Sequence, residues 1–205
     1  MSKNIKNEWL GRLYQMTTKW GIYQHGLYDK VDPKFGYALD DQARAYLVAN
    51  CFEEKKLANI YLNFIKRAVS REGIWQFYYD NNDEIVPDKK IKGSEDALGM
   101  VVWVLMETKT EKKIVDLILE EVDDWLSPRA MAYLLLGLVS EERESELEKK
   151  LTKKLTNAFK KEKGWSWFED FLTYANALLP WALWRRGRTR EDGESIQVAK
   201  EATDF

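Results

Sequence analysis

An all-α fold is the class this sequence predicts, and three observations carry it. Helical periodicity dominates, convincing period-2 strands are scarce, and only four prolines interrupt 205 residues. Beyond class, charged amphipathic helices alternate with nearly charge-free ones. A helix apolar on most faces is buried on most sides, and an αα-hairpin cannot bury its dry helix alone. The alternation therefore predicts a toroid-like array of about four αα-hairpins, apolar helices inside and amphipathic helices outside, in a single domain spanning residues 1–205. A helical bundle is the competing architecture. It explains buried helices but not a shared residue class at their starts.

The elements follow in order. A first helix is expected near 4–19. The long loop WGIYQHGLYDKVDPKFGYAL leads into a dry helix near 39–52, containing ARAYLVANC. A wet helix, EKKLANIYLNFIKRAV, follows near 54–70. The stretch 71–94 is a second long loop, with a small β-hairpin expected around Asn81–Asn82–Asp83. Dry ALGMVVWVLM lies in a helix near 95–108, and wet EKKIVDLILEEVDDWL in one near 111–125. Ser127 followed by Pro128 is an N-cap and N1 start signal for a dry helix near 128–139. A wet helix near 141–161 carries ERESELEKKLTKKLTNAFKK. The last dry helix, near 170–186, holds YANALLPWALW, with Pro180 expected to kink it. A short ninth helix is expected near 194–202. Long loops thus gather where the dry helices begin, and loops on one end of a rigid scaffold are where function concentrates.

Composition narrows the function. The formal net charge of -2 argues against a basic nucleic-acid surface. One cysteine, Cys51, excludes an internal disulfide, fits a reducing compartment and sits where a small core residue would. The first residues, MSKNIKNEWL, lack the apolar core of a signal peptide, and no apolar run approaches the roughly 20 residues of a membrane span. A cytoplasmic protein is expected. The single histidine, His25, excludes a multi-histidine metal site and a histidine-based triad, leaving only a lone general base. No glycine pattern for phosphates or dinucleotides occurs, so no cofactor is expected. No metal site is expected either, since the acids lack EF-hand spacing.

Three dry helices begin on acidic doublets: Asp40–Asp41, Glu95–Asp96 and Glu169–Asp170. Acids in a first turn favour the positive end of the helix dipole by about 0.3–1 kcal/mol, which accounts for one acid per helix. Two per helix suggest chemistry. In a toroid the inner helix starts share a rim, and sugar-bond cleavage needs one carboxylic acid to protonate the leaving oxygen and one carboxylate opposite. Asp41, Asp96 and Asp170 stand deeper in their helices and are the favoured catalytic groups; Glu95 and Glu169 stand beside them. Sequence spacing sets no through-space distance, so inversion and retention both stay open. Nine tryptophans add possible stacking faces. Trp75, Tyr78, Trp165 and Trp167, with Tyr79, fall outside the expected helices and are candidate sugar platforms or loop packing. Arg44 and Arg129 sit near the starts of uncharged helices and need partners, either rim carboxylates or structural ones. Asn176 is a polar group in apolar surroundings that needs hydrogen bonds.

The strings FGYALDDQARA, GSEDALGMVVWVL, SPRAMAYLLLGL and W-x-W-F-E-D-x-L-T-Y-x-N-A-x-L-P, in this order between about residues 35 and 186, together resemble the six-hairpin glycosidase-like α/α-toroid domains associated with bacterial and archaeal glycosyltransferases. The resemblance implies a carbohydrate-related fold with its acids at the rim, and a carbohydrate ligand or a glycosyltransferase as partner. The chain departs from that pattern at Gln42, Leu98, Met100 and Ala175, where the family carries other polar groups. Those losses are compatible with a binding-only form. A complete six-hairpin ring also needs more helices than this chain supplies, which implies a shorter ring, or an arc that a homodimer would cover.

Overall fold

The computed structural model describes residues 3–28, 30–122 and 125–205, with side chains from residue 10 onward. The fold is predominantly α. Nine helices occur among the described residues: α1 (Lys3–Met16), α2 (Leu39–Cys51), α3 (Lys55–Ala68), α4 (Glu95–Glu107), α5 (Lys112–Leu119), α6 (Pro128–Leu138), α7 (Glu146–Ala158), α8 (Leu178–Arg190) and α9 (Gly193–Asp204). None is long and apolar enough to cross a membrane. The chain forms two compact units, residues 1–104 and 105–205, with α4 running across the division.

In the first unit α2 packs on α3. The turn between them needs a left-handed residue, which Glu53 supplies at φ 55°. α3 buries Leu57, Ala58, Tyr61, Phe64, Ile65 and Ala68 at helical spacing, leaving its lysines outside. Short strands join these helices and were mostly invisible as periodicity. β1 (Gly26–Leu27) pairs with β2 (Lys30–Val31), and β4 (Val69–Ser70) with β5 (Gly73–Ile74). β3 (Tyr37–Ala38) joins β6 (Phe77–Asn81) and β7 (Glu84–Pro87) in a three-stranded antiparallel sheet. The β6–β7 turn is the one expected: Asn82 and Asp83 both have positive φ, 46° and 67°, as a two-residue type I′ turn requires.

In the second unit α6 is buried from Arg129 to Leu138, and it packs against both α7 and α8. Ser127 caps it by accepting from the Ala130 N–H, with Pro128 at the first position, as the sequence signals. α7 turns Leu151 and Leu155 inward. Its Glu148 is fully buried, and both nitrogens of an Arg190 fork bond it at 3.0 Å. Arg186 bonds Glu144 and Asp192, completing a charged clamp between α7 and α8. α8 turns into α9 at Glu191, φ 54°, and Asp192 caps α9 through the N–H groups of Glu194 and Ser195. The hairpin β8 (Lys160–Glu162) and β9 (Trp165–Trp167) precedes α8.

Several expected boundaries are corrected. α5 ends at Leu119, and residues 123–124 of the expected helix lie outside the described residues. α7 starts at Glu146 and gives way to β8, so the hairpin replaces its expected last turn. α8 starts at Leu178, not 170. Ala175 sits in the left-handed region at φ 50°, which a continuous right-handed helix excludes. Pro180 therefore falls in the first turn of α8, where its missing N–H has no helical partner to lose, and it introduces no mid-helix kink. Cys51, expected in the core, is exposed at the last residue of α2.

Candidate functional site

The start of α2 is built by three connections. Its N-cap, Ala38, offers no side-chain cap, so Asp40 and Asp41 enter the first turn as extra anions. Both bond the same nitrogen: Arg44 Nη2 donates to Asp40 Oδ2 at 2.8 Å and to Asp41 Oδ1 at 2.7 Å. Arg44 is thus no buried inner-wall arginine; its side chain is 53% exposed and holds two acids on one side of the helix. Asp40 Oδ1 also accepts from Gln76 Nε2 at 3.1 Å, and Gln76 Oε1 accepts from the Ser94 backbone N–H at 3.1 Å. Ser94 in turn accepts from the Ala97 N–H at the start of α4, where Glu95 and Asp96 occupy the first turn. Buried Gln76 therefore ties the leading ends of two dry helices together.

Asp41 differs from its neighbour in setting. Its side chain is 25% exposed. Burial pushes its carboxyl above the ordinary value of 3.8; the Arg44 bond opposes this, and the Asp40 charge adds to it. It borders a hollow of about 220 Å³ whose walls include Leu13, Met16, Ile22, Tyr23 and Arg44. Tyr23 stacks on Tyr37 at 4.6 Å and donates to Asp80 Oδ2 at 2.6 Å. His25, the one histidine, packs edge-on against Phe35 at 4.7 Å, and a charge on it would favour ionised Asp41. The loop that carries Ile22 and Tyr23 is pinned by Gln42. That fully buried side chain accepts from the Ile22 N–H at 2.8 Å and donates to the Ile22 carbonyl at 2.8 Å. Gln42 thus has a structural use. Leu98 and Met100 are buried core residues of α4.

The aromatics of this unit divide. Tyr78 is buried, edge-on to Phe64 at 5.0 Å, and its hydroxyl donates to the Arg67 carbonyl at 3.2 Å, so its ring faces protein. Trp75 is half-buried and bridges to Lys92. Tyr79 is exposed on β6.

In the second unit the third doublet lies on the irregular segment 168–177, not on a helix start. Arg129, 4% exposed, grips that segment. Its Nε donates to the Tyr174 carbonyl at 2.7 Å and its Nη1 to Glu169 Oε1 at 2.7 Å; Nη2 bonds Thr173 and reaches Asn176 Oδ1 at 3.4 Å. The guanidinium also lies over the Tyr174 ring at 4.8 Å. Of the two kinds of partner open to Arg129, it pairs with a carboxylate, Glu169, on a loop rather than a helix start, and Asn176 finds its bonds there too, accepting as well from the Thr173 N–H at 3.2 Å. Asp170 points away from this grip: its side chain is 79% exposed and pairs with Lys160. Trp165 donates to the Glu169 carbonyl at 2.9 Å and packs on Phe205, while Trp167 is buried against Phe168. Among the described residues, no three His, Cys, Asp or Glu side chains are grouped to hold a metal ion.

Gln76 is the residue sequence reasoning misses. It sits in an aromatic run, WQFYY, where nothing in the pattern marks it as a connector. No protein-family model, curated protein or solved structure matches the chain.

Proposed function

We propose that this chain is a carbohydrate-handling protein of the α/α-toroid type, acting on glycosidic bonds at the leading ends of its dry helices, with Asp41 as the proton-exchanging group. One observation carries the reading. Asp41 is a partly buried carboxyl with a raised pKa at the edge of a hollow, on the helix end that Gln76 links to the start of α4. A carboxyl whose proton is held more tightly than usual is what protonation of a leaving oxygen requires. Asp40 shares one Arg44 nitrogen with Asp41, so it stands on the same side and cannot flank a scissile bond opposite it. The reading assigns the opposing carboxylate to the Glu95–Asp96 doublet, in the first turn of the helix whose start Gln76 ties to that of α2. The toroid arrangement draws support from both units: Gln76 joins the starts of α2 and α4, and α6 packs beside α8 while Arg129 holds the segment leading into α8. A cytoplasmic setting suits the exposed thiol of Cys51.

A second reading, a non-catalytic scaffold or partner of a glycosyltransferase, is favoured by the ion pairs. Arg44 holds Asp40 and Asp41, Arg129 holds Glu169, and Lys160 holds Asp170. Release of reducing ends from a panel of defined hexasaccharides separates the two. The first reading predicts turnover by the wild type on at least one glycan and a loss of 100-fold or more in Asp41→Asn. Turnover that survives Asp41→Asn removes Asp41 from the chemistry, and retention of a glycosyltransferase by the chain, with no turnover of or affinity for any glycan, selects the second reading.

A further inference from the structure

The second unit carries a groove of about 620 Å³ that none of the acidic doublets touches. One wall is α8, whose Trp181 and Trp184 stand three residues apart and so face the same way; they are 41% and 51% exposed. The opposite wall is α9, which contributes apolar Ile196, Ala199 and Ala202 and polar Lys200, Thr203 and Asp204. Trp167 closes the groove, buried to 5% exposure, and its indole N–H is sealed from water with no acceptor. A buried donor without a partner is destabilising, so Trp167 marks the one strained polar group among the described residues at this groove.

We propose that this groove is a saccharide-binding subsite: Trp181 and Trp184 take the apolar face of a sugar ring, and Lys200, Thr203 and Asp204 take its hydroxyl edge. The groove is mainly apolar with three polar side chains on one wall, and a pyranose ring has a similar division, C–H groups on its faces and hydroxyls around its rim. The groove lies within the roughly 300–1,000 Å³ of ordinary ligand sites, which accommodates a short oligosaccharide. A quaternary ammonium fits less well: it prefers a cage of aromatic faces, whereas the two exposed tryptophans here stand on one wall only. The proposal rests on the carbohydrate reading above but places the ligand at residues that reading does not use.

The test is a titration of the ¹⁵N-labelled full chain with maltohexaose, cellohexaose, laminarihexaose, xylohexaose, mannohexaose and chitohexaose, following the indole N–H signals. Trp167, Trp181 and Trp184 are assigned by single Trp→Phe variants. The expected result is a saturable shift of all three signals with at least one glycan, and a loss of affinity of at least tenfold in Trp181→Ala and in Trp184→Ala. Both side chains are about half exposed, and circular dichroism checks that each variant is folded. Binding that survives both substitutions but falls in Asp41→Asn overturns the groove and leaves the carbohydrate reading standing. Absence of binding to every glycan overturns both. A concentration-dependent dimer in light scattering that Trp184→Ala abolishes, with no glycan-induced shift, reassigns the groove to self-association and also overturns the proposal.

Discussion

At residue scale, Asp41 and Arg129 show two outcomes for a charge near a dry helix. Asp41 retains water contact and a raised pKa, and the sign of its pH effect follows. A carboxyl that binds its proton more tightly in the fold than in the unfolded chain favours folding below its unfolded value of about 3.8. That contribution is lost as pH rises through the interval between this value and the raised folded one. Asp41→Asn removes the effect. Thermal unfolding followed by circular dichroism should therefore show the variant gaining stability relative to wild type as pH rises from 3 to 7; a constant difference would contradict the raised pKa. Arg129 is buried, and each of its nitrogens is engaged by the 169–176 segment. Removing one partner of such a pair is destabilising by about 3–5 kcal/mol, because Glu169 is left uncompensated. Arg129→Ala should lose that much in urea unfolding. Arg129→Lys should recover little of it, because an ammonium cannot reproduce the planar fork. Full recovery by lysine would show that charge alone matters there.

At element scale, legibility in the sequence followed the strength of periodicity. The dry run RAMAYLLLGLV and the striped EKKLANIYLNFIKRAV became α6 and α3 nearly as drawn, because burial of a full or half face leaves little alternative. The run EDFLTYANALLPW has the same apolar character but is helical only over its last four residues, from Leu178. Arg129, distant in sequence, draws off its Glu169 and Tyr174 groups, and Ala175 adopts a left-handed turn. No local pattern reports such a tertiary competitor. The short strands were equally hidden, since two-residue pairings carry no period; β6–β7 was the exception because Asn82–Asp83 is turn chemistry. The α8–α9 turn offers an element-scale test. A Cβ on Gly187 would lie 2.6 Å from Ile196 Cγ1 and 2.9 Å from the Asp192 carbonyl. Gly187→Ala should be destabilising by about 1–3 kcal/mol through overpacking, measured by chemical denaturation. A neutral result would mean that α9 shifts without penalty.

At the scale of the whole molecule, the acidic doublets meet two fates. The first two lie on helix starts joined through Gln76, a connection that no spacing rule reveals. The third lies on a loop, divided between Arg129 and Lys160. Doublets were legible as anions near helix starts; which of them would keep a water-facing carboxyl was not, because that depends on where arginines from other turns arrive. The carbohydrate reading requires that the molecule recognise a glycan at all. Isothermal titration calorimetry of the unmodified chain against the six hexasaccharides tests that requirement most directly. The account predicts saturable heat with at least one of them and none with an equal concentration of free glycerol. Flat titrations across the whole panel at protein concentrations near 1 mM would contradict it.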